Sequence, residues 1–253
     1  MSDSKVTDEQ AASVAADAKL KAAMAYRNAR RYESALKSID EALSIQPNSQ
    51  LAWLTKGVVL AELGQCNESL SCYDKLIALD AGSAVAYRLK GATFEMQGSF
   101  GKAAECFLKA IELEPSNMGL RLNLANSYKK QKKYDDALKC YQQMLEWEPK
   151  NPIINYLIGI ALGDIGKYEE ALTFFDDALR LKPDYNDAAL AKGFVLTKLG
   201  RKDKAKACTE KLLDTKKEVA SPKDANAASL NDSCRQDYEA SMRRFKDAFS
   251  PPK

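Results

Sequence analysis

Apolar residues recur along most of this chain with the spacing of an amphipathic helix. The segment YESALKSIDEALSI shows that spacing at its apolar positions, which are Tyr32, Ala35, Leu36, Ile39, Ala42 and Leu43. Intervals of three and four residues place these side chains on one face of a helix. Glycine or proline follows many such segments, and both residues end helices. The pattern therefore predicts short paired helices and no strands.

The whole pattern returns every thirty-four residues, and each column of the repeat keeps one kind of side chain. The glycine column holds Gly57, Gly91, Ala125, Gly159 and Gly193. The small-residue column holds Ala35, Ser69, Ala103, Ala137, Ala171 and Ala205. The aromatic column holds Tyr73, Phe107, Tyr141 and Phe175, and the proline column holds Pro47, Pro115, Pro149 and Pro183. We expect the small residues to let two helices approach closely, and the aromatic rings to fill the space between one repeat and the next.

These columns resemble the tetratricopeptide repeat, which carries a Trp, Leu-Gly, Tyr, Ala, an aromatic residue and Pro over 34 residues. Trp53 occupies the Trp position, with Tyr87 as its counterpart one repeat later. The resemblance implies an all-α fold, a right-handed α-α superhelix (solenoid) of about six 34-residue helix-turn-helix repeats plus a C-terminal helix. It places the array in residues 1–219, with repeats at 16–49, 50–83, 84–117, 118–151, 152–185 and, with fewer matching columns, 186–219.

The repeat pattern stops after Val219. Residues 220–231 predict a linker, and residues 232–253 predict an amphipathic helix and tail whose apolar face carries Tyr238, Met242, Phe245 and Phe249. Two roles for this helix are open. It could cap the last repeat, or it could be a tethered ligand for the groove of its own chain or of a second copy. The second role would produce autoinhibition or self-association.

The resemblance also implies a non-catalytic scaffold for protein–protein interaction. In that family the first helices of successive repeats line a concave groove with repeat positions two, five, nine, twelve and thirteen. Carried onto this chain, they give a largely apolar surface with a few cations. The expected groove residues are Leu51, Leu54, Val58, Val85, Arg88, Ala92, Leu122, Asn126, Lys129, Lys130, Ile153, Tyr156, Ile160, Leu190 and Phe194. A peptide or an amphipathic helix with apolar anchors fits such a surface, although Leu54, Leu122 and Leu190 could instead pack between repeats.

Some family members bind the C-terminal carboxylate of heat-shock chaperones through a clamp of Lys, Asn, Asn, Lys and Arg. The clamp needs Lys and Asn at repeat positions five and nine, where the second repeat has Leu54 and Val58. Only Asn123 matches a clamp residue, and Ile153 and Leu157 replace the final Lys and Arg. We therefore expect no chaperone clamp.

The cysteines follow the repeat as well, because Cys72, Cys106, Cys140 and Cys208 each precede the aromatic column or its equivalent. Equivalent residues in stacked helices lie about 8–10 Å apart, whereas a disulfide needs Cα atoms within about 7 Å. We expect these cysteines to be small packing residues and not a metal or redox site.

Composition removes several function classes. The chain has no histidine, which excludes His-based triads and HExxH zinc sites, so we expect no enzyme and no cofactor. A net charge of +3 is too small to indicate a nucleic-acid partner. The most apolar stretch is shorter than the roughly 20 residues that span a bilayer, and the first residues lack the apolar core of a signal peptide. We expect a cytoplasmic protein with a protein or peptide partner. A structural self-assembly unit and a regulatory partner of an enzyme complex remain alternatives.

Overall fold

The computed structural model of the chain describes residues 2–208, and side chains from residue 10 onward. The predicted linker at 220–231 and the predicted C-terminal helix at 232–253, with Tyr238, Met242, Phe245 and Phe249, lie outside the described residues. So does the end of the sixth predicted repeat.

Helices occupy most of the described residues, and no strand occurs between residues 2 and 208. Their bounds are α1 (Ser2–Asn28), α2 (Tyr32–Ile45), α3 (Gln50–Glu62), α4 (Cys66–Leu79), α5 (Ala84–Met96), α6 (Phe100–Leu113), α7 (Met118–Lys130), α8 (Tyr134–Trp147), α9 (Pro152–Asp164), α10 (Tyr168–Leu181) and α11 (Asn186–Lys198). Residues 202–208 are also helical. From α4 onward, each helix begins thirty-four residues after the helix two places before it. The predicted all-α class and helical-repeat architecture are confirmed.

The chain divides into two compact units, Met1–Lys133 (unit 1) and Tyr134–Lys253 (unit 2). In unit 1 each helix from α1 to α7 packs against the next one along the chain, and the first helices of the repeats, α1, α3, α5 and α7, also contact one another in that order. In unit 2 the described helices α8 to α11 pack in the same sequential way, and α9 contacts α11.

An aromatic ring packs directly against a glycine in three of the repeats. A Cβ atom built on Gly57 would lie 2.5 Å from Cε1 of Tyr73, and one built on Gly91 would lie 2.7 Å from Cε1 of Phe107. In unit 2 a Cβ atom built on Gly159 would lie 2.6 Å from Cε1 of Phe175. All three rings are buried. In these three repeats no side chain fits between ring and backbone, so glycine allows the close approach of the two helices, whereas the fourth repeat has Ala125 at this position.

The aromatic column thus packs within its own repeat, in addition to the expected packing between one repeat and the next. The small residue in the same repeat supports this packing, because the buried Ser69 hydroxyl donates a hydrogen bond to the Gly57 carbonyl at 2.8 Å. The Tyr73 hydroxyl also interacts with Thr93 of the next repeat. One ring therefore contacts both helices of its repeat and the first helix of the following repeat.

Polar contacts join successive repeats in unit 1. The Trp53 indole Nε1 donates to the Pro47 carbonyl at 2.8 Å, and two repeats later the Arg121 guanidinium makes the equivalent bond to the Pro115 carbonyl, also at 2.8 Å. Ion pairs add a second connection, since Lys56 Nζ lies 2.7 Å from Asp40 Oδ1.

That ion pair recurs in some repeats and is replaced in others. Lys90 pairs with Asp74 at 2.5 Å in unit 1, and Lys192 pairs with Asp176 in unit 2. Where α6 meets α7, the equivalent positions hold Leu108 and Leu124, so the charge pair is exchanged for two apolar residues.

A residue with a left-handed backbone conformation follows the first helix of each repeat, two positions after its last residue. Gly98 and its equivalents in three other repeats have φ between 71° and 80°. In the first and fourth repeats the same position holds Arg30 (φ 55°) and Lys132 (φ 61°). A side chain with a Cβ is disfavoured there by roughly 1–2 kcal/mol, so both repeats carry local strain at this turn.

We predict that Gly91→Ala lowers the free energy of unfolding by about 1–3 kcal/mol, because the new methyl group overlaps the Phe107 ring. Gly101→Ala is the matched control, since its Cβ would meet only Gln131 Oε1, at 4.0 Å, and alanine favours helix formation. Thermal unfolding followed by circular dichroism measures both variants. Equal effects of the two substitutions would contradict the ring–glycine account.

We also predict that Lys132→Gly raises the free energy of unfolding by about 0.5–1 kcal/mol, because glycine adopts the left-handed conformation without a Cβ penalty. Lys133→Gly removes the same charge from the neighbouring residue, whose φ is not positive. It should not raise the free energy of unfolding. Urea unfolding distinguishes the two, and a similar gain from Lys133→Gly would show that charge, not backbone strain, is responsible.

Candidate functional site

The predicted groove residues of unit 1 lie on α3, α5 and α7, and we call this surface the unit 1 face. It comprises Leu51, Leu54, Val58, Val85, Arg88, Ala92, Leu122, Asn126, Lys129 and Lys130. Their spacing of three and four residues puts them on one side of each helix. Leu51 and Val85 are the most exposed of its apolar residues, at 47% and 41%. Leu54, Val58, Ala92 and Leu122 are half-buried, so they present part of their surface and pack with the rest.

The acidic side chains of α3 and α5 each contact a neighbouring first helix. Arg27 Nε donates to both carboxylate oxygens of Glu62, at 3.1 and 3.0 Å, and Arg27 Nη2 lies 2.5 Å from Glu62 Oε1. These hydrogen bonds hold the pKa of Glu62 below its ordinary value. Glu95 accepts a hydrogen bond from the Ser127 hydroxyl at 2.5 Å. Both contacts connect neighbouring first helices, α1 with α3 and α5 with α7.

The cations of the unit 1 face are less completely paired. Arg88 is half-buried and Lys130 is exposed, and neither forms an ion pair with any residue in the range 10–208. Met96, on the last turn of α5, is also exposed, and the sequence analysis missed it. Met96 occupies repeat position thirteen, as Lys130 does, and this position could have identified it from the sequence.

The predicted groove residues of unit 2, which we call the unit 2 face, differ strongly in exposure. Ile153 is 54% exposed, whereas Ile160 and Leu190 are only 7% and 9% exposed. Tyr156 and Phe194 are half-buried. Leu190 therefore packs between helices and has little surface for a partner. The same holds for Ile160.

Tyr156 belongs to an aromatic cluster within unit 2. Its ring centroid lies 5.2 Å from that of Tyr185 and 6.2 Å from that of Phe175, with both pairs tilted. Burial, with the Asp187 carboxylate nearby, raises the pKa of the Tyr156 phenol well above its ordinary value. The phenol is therefore uncharged at physiological pH and available only as a hydrogen-bonding and packing group.

The described cysteines form no disulfide. Cys72, Cys106 and Cys140 are buried, whereas Cys66 and Cys208 are half-buried. Burial raises the pKa of the Cys72 thiol to about 11 and also raises the pKa of Cys106. Between residues 10 and 208 no group of three or more Cys, Asp or Glu side chains is arranged to hold a metal ion.

Within the part of the chain that the structure describes, no helix has both the length and the apolar character needed to cross a membrane.

Comparison with known families places most of the chain in repeats of one kind. Profiles described as tetratricopeptide repeat match residues 20–84, 54–117 and 122–186, and a further tetratricopeptide repeat profile matches residues 165–229. Comparison with curated protein sequences gave no significant match.

Several solved structures share the fold. MamA is 22% identical over 67% of this chain and 92% of its own, with a TM-score of 0.60. YrrB, described as a TPR protein with an unusual peptide-binding site, is 22% identical over 70% of this chain and 91% of its own, with a TM-score of 0.56. PilF of Pseudomonas aeruginosa is 19% identical over 88% of this chain and 99% of its own, with a TM-score of 0.61. At these identities the likeness concerns the fold.

We predict that Cys66 of the folded protein reacts with iodoacetamide at pH 8 at least about tenfold faster than Cys72. The thiolate is the nucleophile, and burial raises the pKa of Cys72 to about 11, so little of its thiolate exists at pH 8. Mass spectrometry of the labelled peptides measures both rates, and labelling in urea, where the two thiols should react alike, is the control. Fast native labelling of Cys72 would indicate an activated thiol.

Proposed function

The chain belongs to the tetratricopeptide repeat family, and we propose that the first helices of its repeats bind a peptide or an amphipathic helix of a partner protein. Chains of this family are scaffolds for protein interaction. Exposed apolar side chains at repeat position two support the finer proposal. In unit 1 these are Leu51 and Val85. In unit 2, taken by itself, Ile153 is exposed at the same repeat position. Exposed aliphatic residues that recur on one helix face are typical of an interaction surface.

The peptide-binding site named for YrrB is consistent with this proposal, because YrrB has the same fold. The energetics favour a modest affinity. Fully burying one large aliphatic side chain contributes roughly 1.5–3 kcal/mol, and these residues are already about half-buried, so each contributes less. After the association cost of several kcal/mol, we expect dissociation constants in the micromolar range or weaker.

We infer that the scaffold is non-catalytic and acts in the cytoplasm on protein partners, without nucleic acid or membrane. The absence of histidine from the sequence and its small net charge support this inference. The proposed binding itself requires no cofactor.

We predict that Leu51→Asp combined with Val85→Asp weakens peptide binding at least about tenfold, which corresponds to about 1.4 kcal/mol. The two substitutions place charges where apolar anchors would be buried. The probe is a fluorescein-labelled 12-residue peptide selected from a random phage library on the full chain, and the measurement is fluorescence anisotropy. The melting temperature should change little, because both side chains are exposed.

Leu113→Asp is the matched control, because Leu113 is an exposed leucine of unit 1 on a second helix, α6. It should leave binding unchanged. If Leu113→Asp weakens binding as much as the double variant, the partner binds the second helices and the proposed site is wrong.

A further inference from the structure

The unit 1 face changes in chemical character from one helix to the next. On α3 its residues are Leu51, Leu54 and Val58, all apolar. On α5 the apolar Val85 and Ala92 flank Arg88. On α7 the face ends with Asn126, Lys129 and Lys130. Since α3, α5 and α7 contact one another in that order, an apolar end leads into a cationic end.

The acids nearby form no ion pair with Arg88 or Lys130, two of the cations of this face. Glu62 makes three close contacts with Arg27. Arg27 lies on α1, which contacts α3 on the side away from α5. Glu95 accepts its short hydrogen bond from Ser127. Arg88 and Lys130, in contrast, have no ion pair among residues 10–208. No carboxylate of the described residues therefore pairs with these two cations, although Arg88 acts electrostatically on the Tyr73 phenol.

The helix dipole explains only part of this positive charge. Lys129 and Lys130 lie in the last turn of α7, where cations interact favourably with the helix dipole. Arg88 lies in the middle of α5 (Ala84–Met96), so the dipole gives no reason for a cation there. Arg88 is also half-buried, which makes a guanidinium without a carboxylate partner costlier than one in full solvent.

We propose that the unit 1 face selects a segment of a partner protein in which apolar residues are combined with Asp or Glu. The apolar anchors would lie over α3 and Val85, and the acidic side chains would lie against Arg88 and Lys130. This inference rests on the proposed function, because it takes binding to the first helices as given. A guanidinium presents paired donors that match a carboxylate, and the exposed Lys130 adds an attraction that salt screens.

The carboxylates are those of side chains and not of a chain terminus. Leu54 and Val58 occupy the positions where a terminal-carboxylate clamp would need Lys and Asn. The chain's own residues 232–253 are a poor match, because they contain five Lys or Arg and four Asp or Glu and are not acidic overall.

The test is selection of a random 12-residue phage library on the immobilised full-length chain. We expect recovered peptides to be enriched in Leu, Ile, Phe or Met and, at least about threefold over the unselected library, in Asp and Glu. Arg88→Glu with Lys130→Glu should abolish the acidic enrichment. Lys37→Glu with Lys75→Glu, which reverses two exposed lysines on α2 and α4, should leave it intact. If the first double variant is destabilised, Arg88→Gln with Lys130→Gln replaces it.

Recovered peptides are then resynthesised with free and amidated C-termini and measured by anisotropy at 50 and 500 mM NaCl. Equal affinity of the two forms and at least about fivefold weaker binding at high salt support the proposal. Loss of binding on amidation would overturn it in favour of a terminal-carboxylate site.

Other outcomes separate this inference from the proposed function. Apolar peptides without acidic enrichment, whose binding Leu51→Asp with Val85→Asp abolishes, would overturn the inference and leave the function standing. No enrichment over bare matrix would overturn both. Recovery of peptides only after Phe245→Asp with Phe249→Asp would assign the face to the chain's own C-terminal segment. A concentration-dependent mass in light scattering that Arg88→Glu with Lys130→Glu abolishes would assign it to a second copy.

Discussion

The contact between an aromatic ring and a glycine determines how closely the two helices of a repeat can pack. At Gly57, Gly91 and Gly159 a ring carbon occupies the space in which a Cβ would lie. The second helix is therefore held against the backbone of the first. Leu51, Val85 and Ile153 lie elsewhere on the circumference of their first helices, six residues before these glycines. The surface proposed for each unit thus depends on a packing contact in which these three residues take no part.

The sequence predicts that two helices approach closely, because glycine and other small residues recur every thirty-four positions. It does not predict that the aromatic ring sixteen positions after the glycine, as in Gly57 and Tyr73, lies against that glycine. Exposure on the face is harder to predict. Leu51 and Ile160 are both aliphatic residues at expected groove positions, yet one is 47% exposed and the other 7%. The difference arises from the neighbouring helices that cover each side chain, which periodicity alone does not describe.

Which charged residues of the unit 1 face form ion pairs is also hard to predict from the sequence. The sequence shows which residues are charged, but the pairing of Arg27 with Glu62 joins residues 35 positions apart, and it requires two first helices to lie side by side. Once such pairs are known, Arg88 and Lys130 differ from Lys56 and Lys90, which occupy equivalent positions and are each held by an aspartate of the preceding helix. The proposed recognition therefore relies on two cations that form no ion pair among the described residues.

The bonds from Trp53 to the Pro47 carbonyl and from Arg121 to the Pro115 carbonyl have an evolutionary consequence. Two unlike side chains, an indole and a guanidinium, donate to the same kind of acceptor at the end of the preceding repeat. Because that acceptor is a main-chain oxygen, which every residue carries, a duplicated or transposed repeat with a donor at this position would find it whatever the sequence of the repeat before it. Gene duplication in whole repeats could therefore lengthen such a chain without a matching change in the neighbouring copy.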